Sequence, residues 1–174
     1  MDTTFRIYPI GIQNFEDLRN NNNVYVDKTE LIYRLANTNK VYFLSRPRRF
    51  GKSLLVSTLD AYFRGKKELF QGLAMERLEK EWNAYPVLHL DFSMTKYTAL
   101  SDLEERLNLQ LREWERIYGN DPEEEGYAAR FSGIIKRAYQ QTSLQVVVLI
   151  DEYDAPLLDS NHLPELQNEL REEM

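Results

Sequence analysis

The feature that most constrains the fold is a short apolar run followed by a charged loop and a leucine-rich segment. Residues 41–44 read Val-Tyr-Phe-Leu, residues 45–53 read Ser-Arg-Pro-Arg-Arg-Phe-Gly-Lys-Ser, and apolar residues then recur at helical spacing from Leu54. This order predicts a buried strand, a loop and a helix. Gly-Lys-Ser at the start of a helix is typical of the end of a P-loop (Walker A), where backbone N–H groups and the helix dipole hold phosphate oxygens.

The loop departs from the usual P-loop pattern at one position. The motif G-x-x-x-x-G-K-[ST] asks for glycine five residues before Gly51, and the chain has Arg46 there. The chemistry of the motif still gives roles, because the lysine reaches the β/γ-phosphates and the serine binds Mg²⁺. Lys52 and Ser53 are the candidates for these roles. The predicted nucleotide-binding set is Arg46, Pro47, Arg48, Arg49, Phe50, Gly51, Lys52, Ser53 and Leu54.

A second candidate segment is the apolar run at residues 146–150, which ends in Asp151 and Glu152. In open α/β sheets, ligands bind at the carboxyl ends of the strands. In a Walker B arrangement, Asp151 would hold Mg²⁺ through water and Glu152 would orient and activate the attacking water. The alternative is that the two acids only end a strand. Asp154 follows two residues later, either to support the site or to cap the next helix.

Composition narrows the class of protein. The chain has 174 residues, of which 43% are hydrophobic and 29% charged, which is enough for one domain with a core. It has no cysteine and two histidines, which excludes disulfides, a thiolate zinc site and a cysteine nucleophile. No apolar run approaches the roughly 20 residues needed to span a bilayer and no signal peptide is evident, so we expect a cytoplasmic protein without membrane contact. The net charge of -6 argues against a protein that coats nucleic acid with its whole surface.

Periodicity predicts the remaining elements. Residues 100–118 and 127–141 carry apolar side chains every three or four positions, which predicts two amphipathic helices. Residues 87–93 alternate as in a strand. Asp27, followed by Glu30 three positions later, has the spacing of a capped helix start.

Four motifs in order give the chain a family resemblance. They are Tyr-Val-Asp-Lys-Thr at residues 25–29, the loop at residues 46–54, Pro-Val at residues 86–87 with Asp-Phe-Ser at residues 91–93, and Leu-Ile-Asp-Glu-Tyr-Asp at residues 149–154. From about Tyr8 to its last residue, the chain resembles the bacterial AAA-ATPase-like family. The loop of that family carries Arg-Pro-Arg-Arg-Phe in place of the glycine-rich opening, which accounts for Arg46.

The resemblance implies a fold and cofactors. The implied fold is α/β, a three-layer α/β/α arrangement of the P-loop NTPase type with a mainly parallel sheet, and the implied cofactors are ATP and Mg²⁺. By position, Lys52 and Ser53 would bind phosphate and Mg²⁺, Asp151 the metal, and Glu152 the water. In this family the ATPase region usually precedes a PD-(D/E)XK nuclease-like domain.

The same resemblance predicts that residues 1–174 are the N-terminal portion of the AAA-ATPase-like domain. The sheet would be truncated after the Asp-Glu strand, and the sensor strand, lid, arginine finger and nuclease-like domain would lie outside it. We therefore expect ATP binding without hydrolysis from these residues, because an arginine finger contributes about 10³ to 10⁵ in rate. We also expect unpaired strand edges, which favour association between molecules.

Three functions compete at this stage. The first is a Mg²⁺-dependent ATPase module that couples nucleotide to an attached nuclease-like domain. The second is a non-hydrolysing nucleotide switch. The third is a site for nucleic-acid phosphates, with DNA or RNA as a partner of the intact protein. The cations of that third site would be Arg46, Arg48, Arg49, Arg64, Lys66 and Lys67. Homo-oligomers are compatible with all three.

Overall fold

The structure is a computed structural model, and it describes residues 6–45, 47, 49–161 and 163–173. Residues 172 and 173 are described by their backbone only. The chain divides into two compact units, Met1–Tyr85 and Pro86–Met174.

The first unit is helical. Its helices are α1 (Phe15–Asn20), α2 (Thr29–Thr38), α3 (Lys52–Phe63) and α4 (Ala74–Leu78), with a 3₁₀ turn at Lys67–Phe70. The helices form one core because each turns an aromatic or aliphatic side chain inward, and Phe15, Phe70 and Met75 are fully buried. Asn14 caps α1 by accepting a hydrogen bond from the Asp17 N–H at 3.1 Å.

The strand predicted at residues 41–44 is absent from the structure. Residues 41–44 lie outside the strands of the described chain, and Val41 and Phe43 are 87% and 73% exposed. The physical reason is that a strand exists only through its ladder partners. Among the described residues of the first unit, the one bridge joins Ile7 to Asn23. The helix predicted after the loop is confirmed, and Gly65 follows its end with φ +70°.

The second unit contains a parallel sheet of two strands. In the described residues the sheet consists of β1 (Val87–Asp91) and β2 (Val147–Asp151), paired from Val87 opposite Val147 to Asp91 opposite Asp151. The helices α5 (Leu100–Tyr118) and α6 (Gly126–Thr142) lie between them in the chain, and α7 (Ala155–Asp159) and α8 (Pro164–Glu173) follow. A parallel pair needs such a crossover connection.

The helices α5 and α6 pack together and cover part of this sheet. Leu88 contacts a cluster with Leu111, Trp114 and Ile134, all buried. Arg130 ties α6 to α5, because it donates two hydrogen bonds to Glu115, at 2.7 and 2.9 Å, and a third to the Asn108 side chain at 2.7 Å. The hydrogen bonds from Arg130 outweigh burial, which raises the pKa of Glu115, and together with the nearby arginine charges they hold this pKa below its usual range.

One part of the sheet face remains open. A cavity of about 240 Å³, called the apolar groove below, is lined by β1, β2, α5 and α6, and its walls are almost entirely apolar. Val148 and Ile150 of β2 line it and are 40% and 51% exposed.

The prediction of an α/β protein with parallel strands is therefore confirmed. The helix at residues 100–118 has the predicted bounds, the helix predicted at residues 127–141 is longer by one residue at each end, and the strands run 87–91 and 147–151. The three-layer P-loop fold and the extent of its domain remain predictions.

Candidate functional site

The predicted phosphate loop enters α3 through unusual backbone angles. Gly51 is the N-cap residue in the left-handed region, with φ +74° and ψ +28°, and Lys52 is the first helical residue. Arg49 also has positive φ, +67°, whereas Phe50 between them does not. Alternation of this kind turns successive backbone N–H groups toward one point and makes a concavity that binds anions. Arg46 and Arg48 lie outside the described residues.

Helix α3 begins after a glycine. Gly51, the N-cap residue, has no side chain that could cap the first N–H groups of the helix. The 12-residue length of α3 gives its amino end the full positive partial charge of a helix dipole. The predicted site lies at this end, with Lys52 and Ser53 half-buried in the first turn.

Contacts behind the first turn fix its position. Ser57 accepts a hydrogen bond from the Phe15 N–H at 3.0 Å, and Thr58, fully buried, donates to the Leu54 carbonyl at 2.6 Å. Leu54, predicted to bind nucleotide, packs against the core of the first unit. Pro47 and Phe50 are exposed.

Two cations of the nucleic-acid alternative are paired with carboxylates of the same unit. Arg64 contacts Asp60 at 2.6 Å, and Lys66 contacts Glu16. Pairing reduces the positive charge that these side chains offer to a phosphate backbone. The alternative is therefore weaker than the sequence indicates.

The predicted acid pair lies in the second unit, at the carboxyl end of β2. Asp151 is the last residue of the strand and is 7% exposed, and its Oδ1 accepts a hydrogen bond from the Glu152 N–H at 3.0 Å. Glu152 has φ +50°, in the left-handed region that non-glycine residues rarely adopt. Such strain costs about 1–3 kcal/mol and is concentrated at functional sites.

Asp91 is a further carboxylate next to Asp151 that the sequence analysis did not propose for the site. It ends β1 and is the register partner of Asp151, so the two aspartates start from the same face of the sheet. Its Oδ1 accepts from the Ser93 N–H at 2.8 Å, and its carbonyl accepts from Arg106 at 3.0 Å. The sequence feature that could have identified Asp91 is that both aspartates immediately follow apolar strand residues.

Asp154 occupies the N-cap position of α7 but makes no side-chain capping hydrogen bond there. Of its two predicted roles, the cap is therefore absent from the structure. A role in support of Asp151 remains a prediction.

The predicted site residues are divided between the two units: Lys52 and Ser53 lie in the first, and Asp151 and Glu152 lie in the second. Among the described residues, no three histidine or carboxylate side chains gather as a metal site would require. None of the described helices has both the length and the apolar character needed to cross a membrane.

The family comparison decides the affiliation of the chain. The profile of the AAA-ATPase-like family, described as "Predicted AAA-ATPase", matches residues 9–174. The chain belongs to this predicted AAA-ATPase family. The match includes Lys52, Ser53, Asp151 and Glu152 of this AAA-ATPase-like protein.

One relative is a curated protein from Azotobacter chroococcum mcd 1, described as an uncharacterized protein in the vnfD 5' region. It is 39% identical over 165 residues, which cover 94% of the AAA-ATPase-like chain and 32% of the relative. The chain therefore spans about a third of the length of this relative. No solved structure matches the AAA-ATPase-like chain.

Proposed function

We propose that the protein binds ATP with Mg²⁺ as the P-loop region of a longer ATPase. Lys52 and the backbone N–H groups of residues 49–53 would bind the phosphates, while Ser53 and Asp151 would hold Mg²⁺, and Glu152 would position the water. In the intact protein, nucleotide turnover would act on an attached nuclease-like domain.

The observation that carries this proposal is the backbone geometry at the start of α3. Its first residue is a lysine, it is preceded by a glycine in the left-handed region, and Arg49 repeats the positive φ two positions earlier. A helix start of this kind provides donors and positive partial charge at one point. It supports phosphate binding although Arg46 replaces the first glycine of the motif.

The acid pair of Asp151 and Glu152 supports the same chemistry. Asp151 is buried at the end of a parallel strand, where an α/β protein binds its ligands, and Glu152 is held in a strained backbone conformation beside it. A carboxylate ligand of Mg²⁺ followed by a water-positioning acid is what phosphoryl transfer to water needs.

Lys52→Ala tests the binding step. The variant should lose tenfold or more in affinity for Mg·ATP, since a charge-assisted contact to phosphate contributes roughly 1.5–3 kcal/mol. Titration calorimetry on the whole chain measures the affinity. Lys40→Ala, a change of the same charge at an exposed position before the loop, should bind as the parent does. Equal affinity in the parent and Lys52→Ala proteins would contradict the proposal.

Glu152→Gln tests the hydrolytic step in the intact protein. If Glu152 positions the water, the variant should bind ATP normally and retain it, and phosphate release should fall by at least about 10². A downstream activity that Glu152→Gln leaves unchanged would favour the nucleotide-switch alternative. Phosphate release and retained nucleotide are measured on the same preparation.

A further inference from the structure

The first unit contains a polar recess that shares no residue with the predicted nucleotide site. Its volume is about 150 Å³. Three tyrosines line it, Tyr33, Tyr62 and Tyr85, together with two asparagines, Asn37 and Asn83. The other two lining residues are Glu79 and Glu81. The recess therefore combines aromatic faces, neutral acceptors and negative charge, and none of its described lining residues is a lysine or arginine.

The carboxylate of Glu79, which lines this polar recess, is held in place by hydrogen bonds. Tyr62, 8% exposed, donates its hydroxyl to Glu79 Oε2 at 2.5 Å, and the N–H groups of Lys80 and Glu81 donate to Oε1 at 2.7 and 2.9 Å. Burial raises the pKa of Glu79, but these hydrogen bonds outweigh it and hold that pKa below its usual range. Burial, followed by the bond to Glu79, raises the pKa of Tyr62. The carboxylate thus stays charged and the hydroxyl stays a donor at neutral pH.

The rim adds a second carboxylate that faces solvent. Glu81, Asn37 and Asn83 are exposed, and the Asn83 amide donates to Glu81 Oε2 at 3.3 Å. A carboxylate accepts about four hydrogen bonds, so Glu81 retains acceptor capacity. The nearby Lys80 directs its ammonium to the Arg77 carbonyl at 2.6 Å.

We propose that this recess binds the guanidinium group of an arginine side chain presented by a partner protein. Guanidinium is flat and permanently charged, donates five N–H groups in a fork and stacks on aromatic rings, so it matches carboxylates and amide oxygens between tyrosines. A divalent metal fits less well, because only two carboxylates line the recess.

The test is an NMR titration of the whole chain with N-acetyl-arginine amide, which imitates an arginine within a polypeptide. The amide signals of residues 79–85 and the indole signal of Trp82 should shift with saturation, since Trp82 packs on Tyr62 at 6.0 Å between ring centroids. N-acetyl-citrulline amide has nearly the same shape without the charge and should produce no saturable shift. Free arginine should bind more weakly, because its own carboxylate faces two glutamates.

Two variants assign the binding to the recess. Glu81→Gln should weaken binding by about fivefold or more, as expected for loss of a charge-assisted contact. Glu68→Gln, the same charge change at an exposed residue outside the recess, should leave it unchanged. Equal binding of arginine and citrulline compounds, no saturation by about 20 mM, or equal loss in both variants would overturn the proposal. Stronger shifts with Ca²⁺ or Mg²⁺ alone would overturn it in favour of a metal site.

Discussion

Asp27 joins two helices that lie far apart in the sequence. Its Oδ1 accepts from the N–H and hydroxyl of Thr29 at 2.9 and 2.7 Å, and its Oδ2 accepts from the Ala74 N–H at 2.7 Å. Thr29, fully buried, also accepts from the Met75 N–H at 3.0 Å. One aspartate and one threonine thus connect the start of α2 to the start of α4.

Asp27→Asn should destabilise the protein by about 1 kcal/mol at pH 7, because it removes charge from exposed hydrogen bonds. Burial raises the pKa of Asp27, but the bonds from Thr29 and Ala74 outweigh it and lower that pKa. A group with a lowered folded pKa stabilises fully above its unfolded value, and this contribution is lost as pH falls through the folded pKa. The difference between parent and variant should therefore shrink below about pH 4.

Urea unfolding from pH 7 down to pH 3 measures this difference. Glu105→Gln, an equal charge change at an exposed position of α5, should show a much smaller effect. A destabilisation by Asp27→Asn that stayed constant across the range would argue against the ionised carboxylate as its source.

Residue 27 also shows what sequence reasoning reaches. The spacing of Asp27 and Glu30 predicts that Asp27 caps the next helix, but Lys28 is the N-cap residue of α2 and no side chain caps it. Asp27 lies one position earlier and instead accepts from Thr29, the first residue of the helix. Its bond to Ala74 spans 47 positions, and no local pattern encodes such a partner. The polar recess was missed for the same reason, since Tyr33, Tyr62 and Glu79 come from separate segments and meet only through the fold.

At the scale of elements, the junction between α5 and α6 depends on a glycine. A Cβ atom on Gly133 of α6 would lie 1.7 Å from Glu124 Oε1. That carboxylate forms two hydrogen bonds with Arg137, at 2.6 and 3.0 Å, and Arg137 also donates to the Gly119 carbonyl at 3.0 Å. Gly133 therefore makes room for the ion pair that closes the loop between the two helices.

Gly133→Ala should have opposite effects in two backgrounds. In the parent it displaces Glu124, so the loss of a half-buried bidentate ion pair should offset or exceed the gain of roughly 0.5–1 kcal/mol from alanine in a helix. In a Glu124→Ala background the clash is gone, and the same change should stabilise by about that amount. Thermal or urea unfolding of the parent, the two single variants and the double variant measures the change in stability caused by Gly133→Ala. A change of the same sign in both backgrounds would contradict the prediction.

The elements differ in how far the sequence predicts them. The bounds of α5 follow from periodicity, because Leu103, Leu111 and Trp114 lie on one face and all three are buried. The apolar run at residues 41–44 has strand composition, but composition does not supply a ladder partner. The motif predicted a helix that opens at Gly-Lys-Ser, with its leucine-rich segment from Leu54, and α3 begins at Lys52. The positive φ of Arg49 and Gly51 depends on backbone geometry that the sequence does not show.

At the scale of the whole molecule, we expect the apolar groove to favour self-association. In the described residues, β2 pairs with β1 alone, and Ile150 adds exposed apolar area beside its edge. Unpaired edges next to apolar surface are recognised sites of association between copies. The acidic net charge of the chain opposes such contacts, so association should strengthen as salt screens it.

Ile150→Thr should reduce self-association with little loss of stability, within about 0.5 kcal/mol, because threonine keeps strand propensity and the side chain is half exposed. Light scattering over a range of protein and salt concentrations measures this effect. Ile117→Thr, on α5 at a position that is 64% exposed and outside the groove, provides the comparison. An equal reduction by both variants would indicate general surface polarity as the cause.

The positive φ of Glu152 has a consequence for how this protein would evolve under artificial selection. Glycine, and to a lesser degree asparagine, adopts such a backbone conformation at lower cost than glutamate. A library of variants selected only for heat resistance should therefore accumulate glycine or asparagine at position 152. If Glu152 positions the water, the selected variants would be more stable to heat but would no longer hydrolyse nucleotide.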